Sequence, residues 1–424
     1  MTVGPAYKAK VLCSIVFGTG RSVDPQHAEE ISADSYALMR LFRARIDRDR
    51  QAVSASLLGL RPRTALFRVD LGATLLPPGA TQTALPRVAQ TSVGPTEADN
   101  WASHSPSPRL EDVITSAFVE RNPARLHRTR AIVVVRGGEL LAERYAPGFG
   151  IETRFQGWSM TKSVLNALAG LLVGDGRLSL QDSAIRPEWQ APDARADIRV
   201  EDLLRMRSGL KFSEDYADLR SDVIEMLFNQ PDTAAYAASL PLQFRVGKTW
   251  SYSSGTTNIL SAVVRSRVGD AHYFEWPRRA LFAPLGMHSA IIEPDSSGTF
   301  VCSSFMLATA RDWARFGQLY LQDGIWNGRR ILPEGWVRFS TTPTPQSPGG
   351  IFGAHWWLGL RAELGGESPA AARIPSDAFF AVGHEGQVIT VIPSRGTVVV
   401  RLGLSIYIDA WNHAGFIADV LDAL

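Results

Sequence analysis

The sequence predicts an α+β fold, with an antiparallel sheet flanked by helices and joined to a mostly helical subdomain. Two observations carry this reading. A strong hairpin signal stands near residue 135, and three further strand-like runs followed by a helix close the chain. Between them the patterning is mostly helical, as expected when strands and helices segregate along a chain.

Taken in order, residues 1–108 form an N-terminal extension to which the sequence assigns no role. Its apolar run Val11–Phe17 reads as a strand, Ala33–Arg48 is helix-like, and Pro77–Pro108, rich in Pro, Ser, Thr and Gly, reads as surface connection. A regular domain spans 109–424. Leu110–Arg121 places Val113, Ile114 and Phe118 at helical spacing. The hairpin follows: Ala131-Ile132-Val133-Val134-Val135, a Gly137-Gly138 turn, then Glu139–Tyr145. Residues from about 180 to 375 are mostly helix and loop, the helical subdomain. Phe379–Val382, Val388–Ile392 and Val398–Leu402 read as strands, and Trp411–Leu424 as a closing helix.

Composition bounds the function. With 45% hydrophobic and 20% charged residues in 424, the chain can bury a sizeable core. Net charge is +2 and the basic residues are dispersed, which argues against a nucleic-acid surface. No apolar run approaches the ~18 residues of a membrane span. Lys8 and Lys10 ahead of Val11–Phe17 imitate a signal peptide, but the stretch is short and no small-residue cleavage site follows. As given, the chain reads as cytoplasmic, or as periplasmic or secreted if a leader precedes it. Cys13 and Cys302 exclude a disulfide framework and a four-thiolate zinc site. Two buried or free thiols are the plainer reading, with a single bridge left open.

Only five of the 44 basic residues are lysines, so each lysine is informative. Two S-x-x-K tetrads occur, Ser159-Met160-Thr161-Lys162 and Ser208-Gly209-Leu210-Lys211. On a helix, residues three apart share a face, so hydroxyl and amine can meet. Only the first tetrad leads into a helical stripe, Val164, Leu165, Leu168, Leu171 and Leu172, whereas Ser208 precedes a turn-like glycine. A serine hydroxyl becomes a good nucleophile when a neighbour accepts its proton, and a desolvated lysine can serve. A helix N-terminus adds positive potential where substrate oxygen gains charge. The bland alternative is a capping serine followed by a solvated first-turn lysine.

Two later segments favour the chemical reading. Trp250-Ser251-Tyr252-Ser253-Ser254 begins 91 residues after Ser159, and Gly383-His384-Glu385-Gly386-Gln387 lies between two predicted strands. Together these resemble the three-part signature of the class C β-lactamase and penicillin-binding-protein superfamily: S-x-x-K, then Y-x-N or Y-x-S, then K-T-G or a variant. The resemblance covers about 110–424. Glu214-Asp215-Tyr216, Tyr252-Ser253-Ser254 and His384–Gln387 look most similar to 6-aminohexanoate-dimer hydrolases and family VIII carboxylesterases. It implies a β-lactamase/transpeptidase-like fold and an acyl-enzyme on Ser159, with Lys162 and Tyr252 as general base and acid. It also implies an oxyanion hole from the backbone N–H groups of Ser159 and Gln387. Tyr216 and His384 are candidate substrate-binding residues; Tyr216 is equally read as a surface tyrosine beside a turn, and His384 as a strand residue. Asp222 is a weaker carboxylate for a cationic substrate end.

His384 replaces the K-T-G lysine and Ser254 the Y-x-N asparagine, which favours neutral esters or amides over β-lactams. Glu225–Asn229 reads as a helix face. Other signals fail: Gly247-Lys248-Thr249 lacks the earlier glycine of a phosphate loop, Ser159 has no G-x-S-x-G frame, and position 388 is Val rather than a zinc-ligating His. The scattered histidines suggest no metal site, and no cofactor is expected. Trp356-Trp357 reads as core before cleft wall. The expected partner is a small-molecule ester or amide, with the oligomeric state undetermined. The competing readings are a β-lactamase or D,D-peptidase, and a non-catalytic penicillin-binding-like sensor.

Overall fold

A computed structural model describes residues 2–22, 24, 28–31, 37–82, 85, 101 and 105–424. The chain divides into two compact units. One comprises Met1–Ser92, Arg177–Trp276 and Ile291–Leu307; the other comprises Val93–Gly176, Pro277–Ala290 and Ala308–Leu424.

The second unit is built on a five-stranded antiparallel sheet, in the order Phe379–Gly383, Gln387–Ile392, Thr397–Gly403, Thr129–Arg136, Glu139–Tyr145. Its first hairpin turns at Gly137 and Gly138, both at positive φ, a conformation open to residues lacking Cβ. The strands 387–392 and 397–403 are buried at every position, which is why they read as unbroken apolar runs rather than alternations. The helix Ala310–Leu321 packs on this sheet, and Gly317 admits the close approach: a Cβ there would lie 2.7 Å from Val398 Cγ1. The helices Pro108–Ser116 and His413–Ala423 pack on each other, with side-chain caps from Ser107 and Asn412.

The first unit holds a four-stranded antiparallel meander, Phe42–Asp47, Ala52–Leu57, Leu60–Arg68 and Gly72–Leu75. It also holds the helices Val200–Leu204, Asp222–Phe228, Thr233–Ser239 and Ser254–Val268. Two expectations for the N-terminal region are corrected. Val11–Phe17 is not a strand: an α-helix spans Val3–Cys13 and a π-helical turn Ser14–Gly18. Ala9, Leu12 and Cys13 lie on the helix face that meets Val53, Ala55, Ala65, Phe67 and Ala73 of the meander. Lys10 is buried in the same helix, paired with Glu293, bonded to Ser14 Oγ at 3.1 Å and set 4.0 Å from the Phe305 ring centre. Packing and this pair outweigh the strand preference of Val11, Ile15 and Val16. In the helix-like stretch Ala33–Arg48, residues 33–36 lie outside the described residues. Residues 37–41 form a 3-10 turn, and 42–47 pair as a strand with 52–57. Of the loop-rich 77–108, positions 83–84, 86–100 and 102–104 lie outside the described residues.

Both cysteines are free and buried; burial pushes the Cys302 thiol up to about 12. Among the described residues, no helix is long and apolar enough to cross a membrane.

Candidate active site

In the second unit, the short strand Arg154–Gln156 runs through Gly157 into a 3-10 turn, Trp158–Met160, and then the helix Thr161–Gly174. Ser159 therefore sits at the mouth of a helix whose Val164, Leu165, Leu168 and Leu172 are buried. The entry is sterically tight. A Cβ on Gly157 would lie 2.3 Å from the Trp313 ring, and Trp158 adopts φ +48°, unusual for a bulky residue. Thr161 Oγ1 donates to the Trp158 carbonyl at 2.7 Å.

The turn-to-helix geometry brings serine and lysine together. Lys162 is 2% exposed, and its Nζ donates to Ser159 Oγ at 2.9 Å. Sequence reasoning missed what anchors this helix. His355 Nδ1 contacts the Lys162 carbonyl at 3.0 Å, and Ser163 Oγ donates to the His355 carbonyl at 2.7 Å. Asn166 donates to Ala354 O and accepts from Tyr320, Trp336 and Ser340. The pair Trp356-Trp357 is core: both are buried, and Trp356 stacks on Phe316 at 6.0 Å.

The same unit carries His384–Gln387, in a turn between strands 379–383 and 387–392. Gly383 lets this turn meet the serine turn, since a Cβ on it would lie 2.2 Å from the Gly157 carbonyl oxygen. The His384 ring meets Trp158 edge-on at 5.4 Å, and Trp158 Nε1 donates to Glu385 Oε2 at 3.1 Å. Burial lowers the His384 pKa, with Glu385 opposing, so its imidazole is neutral at neutral pH. Gln387 Nε2 donates to the carbonyls of His384, Glu385 and Gly403, while its Oε1 accepts from Gly403 N–H.

Tyr216 and Tyr252 belong to the first unit. Tyr252 precedes the helix Ser254–Val268, which Ser253 caps by accepting from Thr256 N–H. Glu214 accepts from both the N–H and the hydroxyl of Ser254, at 2.7 and 2.6 Å. Tyr216 is half-buried rather than a surface tyrosine. Burial raises its pKa well above the usual value, and the charges of Glu214 and Tyr252 push the same way, opposed by hydrogen bonds to Ser254 and Ser304. Asp222, considered for a cationic substrate, accepts from Ser213 N–H and the Tyr236 hydroxyl, a local structural use. Among the described residues, no group of three or more His, Cys, Asp or Glu side chains could hold a metal ion.

Comparison with known proteins bears on these observations. The family model described as β-lactamase matches residues 117–403. The 6-aminohexanoate-dimer hydrolase of Paenarthrobacter ureafaciens is 27% identical over 320 residues, covering 69% of this chain and 74% of that protein. A penicillin-binding protein homologue from Caulobacter crescentus superposes with a TM-score of 0.56 at 18% identity, over 76% of this chain and 99% of that one. A class C β-lactamase crystallised with cefoxitin gives 0.55 at 16%, over 74% and 98%. The two structural likenesses speak to the fold alone, and they agree with the α+β architecture. The family match spans well over half the sequence and contains both the serine turn and the His384–Gln387 turn, so this chain belongs to the β-lactamase family, a hydrolase of the β-lactamase/transpeptidase-like superfamily.

Proposed function

We propose that the protein is a serine hydrolase cleaving small or medium carboxylic esters or amides through an acyl-enzyme on Ser159. The observation that carries the reading is the 2.9 Å contact between the buried Lys162 amine and Ser159 Oγ at the mouth of a helix. When the amine is neutral, the same contact is the path by which the hydroxyl proton leaves. Ser159 Oγ attacks the carbonyl carbon, and Lys162 with Tyr252 passes the proton to the departing alkoxide or amine. Tyr252 then takes a proton from water, which attacks the acyl carbon and frees Ser159. The N–H groups of Ser159 and Gln387 stabilise the oxygen that gains charge in both steps. Tyr216 and His384 contact the substrate.

Neutral substrates fit this chain better than β-lactams. The lysine that would supply a fixed positive charge in the third motif is His384, whose burial keeps it uncharged at neutral pH. The test is a panel of p-nitrophenyl esters, a linear aminohexanoate dimer and nitrocefin, on wild type and Ser159→Ala. Turnover of an ester or the amide that disappears in Ser159→Ala is expected. Nitrocefin turning over much faster than the esters points instead to a β-lactamase. A wild type inert on all three points to a binding module, and full activity in Ser159→Ala overturns the mechanism.

A further inference from the structure

This inference rests on the acyl-enzyme reading above and concerns what aims its two oxyanion donors. In a trans peptide the carbonyl and the following N–H lie in one plane and point in opposite directions, so holding the carbonyl oxygen aims the N–H. The peptide that carries the Ser159 N–H has its carbonyl on Trp158, and Thr161 Oγ1 holds that oxygen at 2.7 Å. The peptide that carries the Gln387 N–H has its carbonyl on Gly386, and the fully buried Arg401 holds that oxygen through Nη1 at 2.8 Å. Arg401 is itself fixed by Thr129 Oγ1 at 3.1 Å, Ser405 Oγ at 3.0 Å and the Trp411 ring at 4.5 Å. Gly386 is required for this approach, because it lies at φ +80° and a Cβ on it would stand 2.5 Å from Arg401 Nη1.

The two peptides are also tied to each other. Trp158 and Glu385, at φ +48° and +61°, are both left-handed without being glycine, a state that persists only where the surroundings over-determine it. Their side chains are joined by the 3.1 Å bond from Trp158 Nε1 to Glu385 Oε2, and both residues are buried. We propose that Thr161 and Arg401 are positioning residues that aim the Ser159 and Gln387 N–H groups at one point, with the Trp158–Glu385 hydrogen bond setting the gap between them.

The test uses Thr161→Val, which removes the hydroxyl at nearly constant shape, and Thr161→Ser, which restores it. Trp158→Phe, Glu385→Ala and the Trp158→Phe/Glu385→Ala double variant probe the tie. Each is assayed on the best p-nitrophenyl ester for kcat and KM, and for inhibition by phenylboronic acid, whose tetrahedral serine adduct places an oxygen where the oxyanion forms. Thr161→Val, Trp158→Phe and Glu385→Ala are expected to lower kcat by about 10- to 100-fold and to weaken the boronate in parallel, with KM within about threefold; losing one donor outright costs ~10²–10³. Thr161→Ser recovers to within about threefold of wild type, and the double variant is no worse than either single one. Wild-type kcat and boronate affinity in Thr161→Val and Trp158→Phe overturn the proposal, as does a loss of kcat that leaves boronate affinity unchanged. If Trp158→Phe does not fold, the Thr161 pair and Glu385→Ala decide alone. Inert positioning variants of an enzyme whose activity requires Ser159 sink this inference only, whereas activity independent of Ser159 sinks the hydrolase mechanism with it.

Discussion

The same four-residue spacing occurs twice in this chain and is folded in two different ways. At Ser159 a 3-10 turn feeds a 14-residue helix, the lysine is buried, and amine and hydroxyl touch. At Ser208 the next residue is Gly209 at φ +77°, Leu210 bridges Leu242, and the Lys211 N–H bonds to the Pro241 carbonyl. That backbone is a turn leading into an extended bridge, on which residues three apart do not share a face. Ser208 Oγ is buried against Thr256 Oγ1 at 3.0 Å, while Lys211 is exposed. Spacing proposes a serine–lysine pair, and helical backbone makes one. A third pair sharpens the point, because contact alone is also insufficient. Lys10 Nζ bonds to Ser14 Oγ on the N-terminal helix, but Ser14 also donates to Glu293, and the same carboxylate pairs with the lysine. There the amine is held as a cation, unable to accept the serine proton.

The largest effect should separate the two tetrads by activity. Ser159→Ala is expected to lose at least about 10³-fold in kcat on the substrate the panel identifies, as nucleophile removal does. Ser208→Ala should stay within about twofold in the same assay. A Ser208→Ala enzyme as dead as Ser159→Ala would break the comparison. The lysines repeat the contrast at somewhat lower amplitude. Lys162→Met removes the proton acceptor and should cost ~10²–10⁴ in kcat, whereas Lys211→Met, an exposed change, should match wild type. The third pair should respond in stability instead. Lys10→Met leaves Glu293, 0% exposed, as an unpaired buried charge, so urea denaturation should register a loss of about 3–5 kcal/mol. Activity per folded molecule should hold, and a Lys10→Met protein that is stable but inactive would show that this pair does more than join helix to strand.

How much of this could be read beforehand follows from the range of each interaction. The hairpin at Gly137-Gly138 and the three last strands were legible to within one or two residues, because turn chemistry and apolar runs are local signals. The contact between Ser159 and Lys162 was legible for the same reason, being one turn of helix. The Val3–Cys13 helix was not, since its partners lie in residues 42–75 and in Glu293, far along the chain. Nor were the groups that hold the serine turn. Trp158 meets Glu385, Lys162 meets His355, and Arg401 reaches back one hairpin to Gly386. No local pattern marks a tryptophan or an arginine for those uses, although Trp158, Glu385 and Gly386 sit beside motif residues.

The finest test of the contrast lies in Gly209, because it is the residue that turns the second tetrad away from a helix. At φ +77° it occupies the left-handed region, where a side chain costs ~1–3 kcal/mol. There is also no room: a Cβ would stand 2.4 Å from the Phe244 carbonyl oxygen, whose N–H in turn bonds to the Gly209 carbonyl at 3.0 Å. Gly209→Ala should therefore destabilise the protein by about 2 kcal/mol in urea denaturation, with hydrolysis per folded molecule unchanged. Alanine is the better helix former, so a stabilised Gly209→Ala protein would mean that this segment favours a helical turn, on which Ser208 and Lys211 would share a face. In that case the difference between the two tetrads would be one of context rather than of backbone, and Ser208 would have to be reconsidered as a nucleophile.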